Sequence, residues 1–326
     1  MKLHLNSFVT YLSLAVSTIS VVVHAHVGGN DGHVPPDVNY GFTLIGRDTL
    51  GGVKTRTYTD VWSYNGYAYV GTYRNANAKN ENQCTSDSVY IVDMQAAVQQ
   101  YSAGNIQGAV VAEIKPPPST YVNDVKVHKV GDTDVLIMTQ EPCGKQIPGY
   151  LQKSDGGPPF QSGQGGISLY DVTDPTKPHV LRKNFLEFGG VHNTYPWTDP
   201  NTGKSYVIGA TDKEDLDDIF IADITAPQSP KFVTLTGAND WISQGLKLDQ
   251  LGTGDSTGIF VHDVIVKISE SGTPLALVSY WDLGFVTLDL TDPANPVFLD
   301  DSNYPEFDPI NNAPYEGNAH VRTKMK

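Results

Sequence analysis

Hydrophobic and polar residues alternate along the chain in short runs, and the clearest set lies between residues 261 and 299. Four runs follow one another here, separated by Gly, Pro and Asp: Val261 to Lys267, Pro274 to Tyr280, Gly284 to Leu290 and Pro296 to Leu299. Alternation with a period of two is typical of half-buried β-strands, and the separating residues favour turns. The segment therefore predicts four consecutive antiparallel strands.

A phrase that joins a strand to a turn recurs along the chain. It consists of an alternating strand, an aspartate and the turn Thr-x-Pro-x-x-Pro, and it runs from Ile167 to Pro178, from Ile219 to Pro230 and from Phe285 to Pro296. A fourth copy, Val89 to Asp93, keeps the strand and loses the prolines. Such repetition indicates sheet units that bury their faces only against neighbouring units. We expect the aspartate of each copy to accept backbone N–H bonds across the turn that follows it.

Four antiparallel strands per repeat predict an all-β fold, a β-propeller with four full four-stranded blades. An additional strand is predicted at 40–48, and the opening of a fifth first strand at His320, shortly before the chain stops at Lys326. Four blades are few for a closed ring. The expectation is an incomplete ring in a truncated copy of a longer protein, an open ring, or a ring closed by self-association.

The first 25 residues have the pattern of a secretory signal peptide, with an apolar run from Phe8 to Val23 and cleavage expected after Ala25. A membrane-spanning helix is the rival interpretation, but the run is short and no basic residues follow it. Residues 26–39 are predicted to be a flexible segment and 40–326 the propeller. We expect a secreted, periplasmic or cell-surface protein with no transmembrane segment once the leader is removed.

Composition narrows the possible partners. The formal net charge of −14 argues against nucleic acid and anionic lipid, since both require basic surface. Only 18% of residues are charged, while Gly (31), Pro (21) and Tyr (17) are plentiful, which suits short strands joined by tight turns.

Two cysteines, Cys84 and Cys143, fall at comparable points of two successive repeats. An oxidising compartment allows such a pair to close, so we expect a disulfide between adjacent loops, with a free buried pair as the alternative.

Candidate chemistry lies where the first strands of the blades begin. The opening positions are Thr59, Asn123, His192, His262 and His320. In a propeller these positions should converge at one mouth of the central channel. The loops between second and third strands add carboxylates there, namely Glu141, Asp212 and Asp282.

Imidazoles and carboxylates that converge on an axis suit a divalent ion such as zinc, copper or calcium. The structural alternative is that each opening residue caps a turn and holds its blade in register, although a purely structural role predicts similar residues in every blade. Trp281, beside Asp282, is predicted near the same mouth, where it could stack on a partner.

The repeats resemble those of the LVIVD-repeat family of exported bacterial and archaeal propellers. Val89-Tyr-Ile-Val-Asp93 is nearly the namesake strand, the Asp-[Val/Ile/Leu]-Thr-x-Pro-x-x-Pro turn is typical of the family, and Tyr64 to Val70 is similar to its Asn-Gly hairpin. Family members usually continue past a phrase like Gly317-Asn-Ala-His320. The resemblance implies an extracellular or surface-attached protein and brings no general catalytic activity.

Two functions are therefore expected. The first is an exported binding module that holds a protein, peptide or glycan at the loop-rich channel mouth. The alternative is a metal-dependent enzyme in which His192, His262 and His320 are ligands and Glu141 or Asp282 is a ligand or general base. A truncated ring would make the chain inactive. The sequence contains no Gly-rich phosphate loop, Gly-x-Ser-x-Gly turn or His-Glu-x-x-His helix, which excludes the enzymes that depend on them.

Overall fold

The structure is a computed structural model. It describes residues 50, 58–73, 88–101, 109–118, 120–142, 165–186, 190–211, 218–247, 260–281 and 283–302. All of these belong to one unit that spans residues 45–326. The predicted leader (1–25), the segment 26–39, the strand at 40–48, both cysteines and the residues from 303 onward lie outside the described residues.

The described strands form four sheets in chain order. The first contains β1 (Tyr58–Tyr64), β2 (Tyr67–Thr72), β3 (Val89–Asp93) and β4 (Val110–Ile114). The second contains β5 (Thr120–Tyr121), β6 (Val125–Val130), β7 (Thr133–Pro142), β8 (Gly166–Asp171) and β9 (His179–Phe185), with β5 and β6 both paired to β7. The third contains β10 (Val191–Thr198), β11 (Ser205–Thr211), β12 (Ile219–Asp223) and β13 (Lys231–Thr236). The fourth contains β14 (Val261–Ile268), β15 (Pro274–Tyr280), β16 (Gly284–Asp289) and β17 (Val297–Asp301).

Each sheet is an antiparallel meander, and the first strands of successive sheets contact one another: β1 with β6, β6 with β10, and β10 with β14. The sheets are the blades of a β-propeller, which confirms the predicted fold class. Two short helices, α1 (Met94–Tyr101) and α2 (Ala238–Ile242), complete the described elements. Neither has the length and apolar character needed to cross a bilayer.

The hydrophobic core lies between blades. Each of its three main clusters takes one face from each of two neighbouring sheets, for example Ile91 with Leu136 between blades 1 and 2, and Ile137 with Phe220 between blades 2 and 3. Trp241 is fully buried between blades 3 and 4. A single repeat therefore cannot bury its own apolar faces, as the repeated sequence predicts.

The aspartate at the end of the third strand makes the predicted turn bond. Asp171, Asp223 and Asp289 each accept the backbone N–H two residues further on, at 2.8, 2.9 and 2.7 Å. In blade 3 the next threonine also takes part, since Thr225 Oγ1 accepts the N–H of Ser205 at 3.0 Å and thereby ties the turn to the second strand. The prediction is confirmed for these three copies, whereas Asp93 accepts the N–H of Ala96, in the first turn of α1, at 3.0 Å.

The first strand of every blade is irregular at the same place. In blades 1, 3 and 4 the pairing with the second strand slips after Tyr58, Val191 and Val261, which leaves a β-bulge. In blade 2 the strand is interrupted between β5 and β6. Alternation alone predicts continuous strands here, so this feature was missed. A bulge redirects side chains, and bulges are frequent at rims and next to functional sites.

Candidate functional site

The bulges bring residues of blades 2, 3 and 4 together at one end of the channel. Asn123 Nδ2 lies 2.8 Å from His192 Nδ1 and donates to the His192 carbonyl oxygen at 3.1 Å. The rings of His192 and His262 are 4.8 Å apart, centroid to centroid. Thr59 is oriented differently: its hydroxyl lies over Gly71, where an added Cβ would come within 2.4 Å of Oγ1. We call the end of the channel formed by Asn123, His192 and His262 the mouth.

Glu141 joins this group from the end of β7. Its side chain is only 4% exposed, and its Oε1 lies 2.8 Å from His192 Nδ1. The Tyr121 hydroxyl donates to the other carboxylate oxygen. A buried carboxylate needs such donors. With the proton on His192 Nδ1, the ring donates to Glu141 and the Asn123 amide donates only to the His192 carbonyl oxygen. The contact joins blade 2 to blade 3.

Four rings form a continuous aromatic surface at the mouth. The His262 imidazole stacks on the Trp281 indole with centroids 5.3 Å apart and planes 22° apart. Phe260 lies 5.0 Å from Trp281 and 5.1 Å from His192. His192, His262 and Trp281 are each partly exposed, so the surface is neither a sealed core nor fully solvated.

A second series of side chains, one position after the opening residues, links neighbouring blades. Asp124 Oδ2 accepts the backbone N–H of Thr194 at 2.9 Å and its hydroxyl at 3.1 Å. Asn193 Nδ2 donates to Asp263 Oδ1 at 2.8 Å, and the other Asp263 oxygen lies 3.1 Å from His262 Nδ1. The sequence carries a signal for this set, because an Asp or Asn follows the opening residue in all four blades.

A buried lysine was also missed. Lys126, with a side chain 8% exposed, pairs with Asp60 of blade 1 at 2.5 Å and with Asp124. Its ammonium lies 5.2 Å from the centre of the Trp62 ring, and Tyr195 of blade 3 meets that ring edge-on at 6.1 Å. The cluster therefore brings together three blades inside the channel.

The two carboxylates around Lys126 differ in their affinity for protons. Burial, opposed by Lys126, raises the pKa of Asp124 to about 7. Burial also acts on Asp60, but Lys126 holds the pKa of that carboxyl below its usual value. The pKa values of the two carboxyls differ because both share one ammonium and Asp60, with a side chain 36% exposed, is the better solvated.

Three of the predicted site residues, Asp212, Asp282 and His320, lie outside the described residues. Within the described ranges no group of three or more His, Cys, Asp or Glu side chains is placed to hold a metal ion. The divalent-metal site thus stays a prediction. The structure does bring His192, His262, Glu141 and Trp281 together.

No family model matches the chain, and no curated protein matches it. Solved structures that resemble parts of the chain include a candidate exo-β-1,3-galactanase from Bifidobacterium bifidum s17, at 18% identity over 54% of this chain and 51% of that chain, with a TM-score of 0.31. An α-L-arabinofuranosidase from Lactobacillus brevis is 12% identical over 82% of this chain and 76% of its own, with a TM-score of 0.38. The GH43_1 enzyme from Xanthomonas citri complexed with xylose is 10% identical over 76% and 75%, with a TM-score of 0.41.

The chain spans about half the length of the first of these structures. Values of identity and TM-score this low carry no argument about activity.

Proposed function

We propose that this chain is an exported binding module whose channel mouth holds a glycan. The observation that carries the proposal is the partly exposed pair of His262 and Trp281, which stack on each other over the buried Phe260. The amide of Asn123 and the imidazole of His192 border this pair. Sugar rings present an apolar C–H face and a rim of hydroxyl groups. Such a ligand suits a concave site with aromatic walls and a few convergent polar groups.

A glycan is favoured over a peptide because of the polar groups that surround the rings. His192 Nδ1 lies 2.8 Å from Glu141 Oε1, and Asn123 Nδ2 donates to the His192 carbonyl oxygen at 3.1 Å, so the three residues are held in fixed positions. Fixed polar groups lose little conformational entropy when a hydroxyl-rich ligand binds. The alternative role for the rings is to seal the end of the channel, and this role predicts a loss of stability without any binding.

A glycan array followed by titration calorimetry with the best ligand tests the proposal. Trp281→Ala should weaken binding at least tenfold, about 1.4 kcal/mol, while Trp281→Phe retains most of it. His179→Ala is the matched control, because this imidazole is exposed and pairs with Asp171 at the turn end of blade 2. A folded protein that binds no glycan, or a Trp281→Ala variant that binds as tightly as the wild type, would overturn the proposal.

The leader and the LVIVD resemblance support the export part of the proposal. Expression of the full chain in a bacterial host should release a product that begins at His26. N-terminal sequencing of the exported fraction tests this, and a product that retains residues 1–25 would contradict it.

A further inference from the structure

We infer that a second copy of this chain docks on the free sides of blade 4 and blade 1, so that two copies form one ring through two identical junctions. This docking surface is separate from the mouth, and its occupation does not require a glycan. Two apolar sheet faces form it, and each of them is more exposed than the same face of the other blades.

The first of these faces belongs to blade 4. One side of its sheet packs on blade 3, through residues such as Ala276 and Val278. Because side chains alternate along a strand, the residues between them point to the opposite side. That side is also apolar and is at least partly exposed. We call it the open face of blade 4, and it comprises Leu275, Leu277, Phe285, Val297 and Leu299.

The strand registers identify the residue that is equivalent to Leu277 in other blades. It is the residue that pairs with the third position after the opening residue, which gives Ile137 in blade 2 and Ile208 in blade 3. Both equivalents are fully buried against the next blade, whereas Leu277 is partly exposed. Blade 4 therefore has the apolar side of a blade on which another blade packs.

The outer strand of blade 4 shows the same difference. Leu299 lies at the bulge between the third and fourth strands, where blades 2 and 3 have Leu181 and Val233. Those two side chains pack into the clusters that join their blades to the next one. Leu299 is 49% exposed. Exposed apolar patches of this kind mark interaction sites.

Blade 1 presents the complementary face, on the side where a preceding blade would pack. Val61 lies two residues after the opening residue, as do Val125, Thr194 and Val264 in the other blades. These three contact the preceding blade and are 0, 0 and 2% exposed, whereas Val61 is 51% exposed. We call the side of the sheet that carries Val61 the open face of blade 1.

The outer part of this face is covered within the chain. Tyr90 and Val92 are buried in a cluster that includes Leu50 and Ala96 of α1. The same helix presents Val98, whose side chain is exposed. A docked blade would therefore meet Val61 near the channel and α1 farther out.

The packing inside the chain indicates which occupant fits these faces. At all three junctions the following side of one blade packs on the preceding side of the next. Among the strands that the structure describes, β14 and β1 make no contact as extensive as those that join β1 to β6, β6 to β10 and β10 to β14. A second copy supplies both missing faces, and a two-fold axis then joins blade 4 of each copy to blade 1 of its partner.

A second copy also fits better than the flanking segments of the same chain. The sequence predicts one strand at 40–48 and one that opens at His320. The open face of blade 4 extends over β15, β16 and β17, so a single strand is too narrow to cover it. The geometry thus favours a whole blade as the occupant.

Sedimentation equilibrium of the exported protein tests the inference. Because each chain carries a formal net charge of −14, the measurement should be made in about 0.3 M salt, which screens the repulsion between copies. We expect the mass of two chains at micromolar concentration. A monomer would mean that the chain covers its own faces, and a mass that keeps rising with concentration would mean that the ring does not close. Either result would overturn the inference.

Substitutions on the two faces locate the junction. Val61→Asp and Leu299→Asp each place a charge at a half-exposed position, and each should raise the dissociation constant of the dimer at least tenfold, since the charge loses its water on docking. Val180→Asp is the matched control, because Val180 is 47% exposed on the outer strand of blade 2. It should leave the dimer unchanged.

Two further variants keep this test usable if a substitution prevents folding by circular dichroism. Val61→Lys then replaces Val61→Asp, and Val297→Asp replaces Leu299→Asp. A dimer that persists in the blade 1 variant, in the blade 4 variant or in both would use another surface and would overturn the inference. Equal weakening by Val180→Asp would overturn it as well.

Discussion

The two ends of each blade follow different rules. At the turn end, an aspartate closes the third strand of every blade, and Asp171, Asp223 and Asp289 make the same bond. At the mouth end, the opening residues differ between blades: Thr59 lies over its own Gly71, Asn123 bonds to His192, and His262 stacks on Trp281. Identical residues here mark a requirement of every repeat, whereas differing residues mark a place where the blades have been specialised.

The residues directly after the opening residues combine both behaviours, because the residue type is nearly constant and its contacts differ between blades. The Asp or Asn after each opening residue is kept in all four blades, yet its partner changes. Asp60 pairs with Lys126. Asp124 pairs with the same lysine and accepts the backbone N–H of Thr194. Asn193 donates to Asp263. These contacts join blade to blade. The inner wall thus contains both the contacts that hold the blades together and the polar groups that a ligand could meet at the mouth.

The largest expected effect is on the Lys126 cluster. Lys126→Met leaves Asp60 and Asp124 without their cation, and removing one partner of a buried ion pair costs about 3–5 kcal/mol. Because Asp60 is partly exposed, we expect the lower end, a loss of about 3 kcal/mol in the free energy of unfolding, measured with urea. Lys115→Met is the control, since this lysine is 66% exposed and should lose less than about 1 kcal/mol. Equal losses in the two variants would contradict a structural role for the cluster.

The next effect is a pH dependence due to Asp124. Its pKa is raised to about 7 in the folded chain, from 3.8 for the unperturbed group. Between these values the folded state binds the proton and the unfolded state does not, so stability falls as pH rises from about 4 to about 7. We expect Asp124 to contribute a decrease on the order of 1–3 kcal/mol over that range.

Comparison with Asp124→Asn checks this contribution. Urea unfolding of both proteins at several pH values should show a steeper decrease in the wild type, because the amide does not titrate. Parallel pH profiles for the two proteins would show that Asp124 keeps an ordinary pKa when folded.

The turn end should give a smaller and uniform effect. Asp171→Ala, Asp223→Ala and Asp289→Ala each remove one acceptor of a backbone N–H, which is worth about 0.5–1.5 kcal/mol. We expect similar losses in urea unfolding and no change in glycan affinity. A turn variant that weakened binding as much as Trp281→Ala does would remove the distinction between the two ends.

The periodic features of the fold could be predicted because they are local and repeated. Alternation predicts the strands, the Asp and Thr of the turn phrase predict its hydrogen bonds, and Asn65-Gly66 predicts a turn with positive φ values, observed at 47° and 83°. The bulges could not be predicted, since a one-residue slip in register leaves almost no trace in the pattern around His192 or His262.

The site was predictable only in part. The convergence of His192 and His262 follows from their equivalent positions in neighbouring blades. The roles of Lys126 and Tyr121 depend on contacts between residues that are distant in sequence, as in the pairing of Lys126 with Asp60. Lys126 lies in an alternating strand, and a lysine in such a strand usually faces the solvent. Only the packing of three blades shows that Lys126 is buried.

The smallest expected effect is on metal content, and it bears on the alternative function. Two described histidines already have other partners: His192 Nδ1 lies 2.8 Å from Glu141, and His262 Nδ1 lies 3.1 Å from Asp263 while its ring stacks on Trp281. We therefore expect elemental analysis of the exported protein to show well under one equivalent of zinc, copper or calcium. The His192/His262/His320 triple alanine variant should give the same value. One equivalent in the wild type that is lost in a folded triple variant would instead support the metal-dependent enzyme. In that case the differing residues at the mouth would be ligands of an ion rather than the walls of a sugar site.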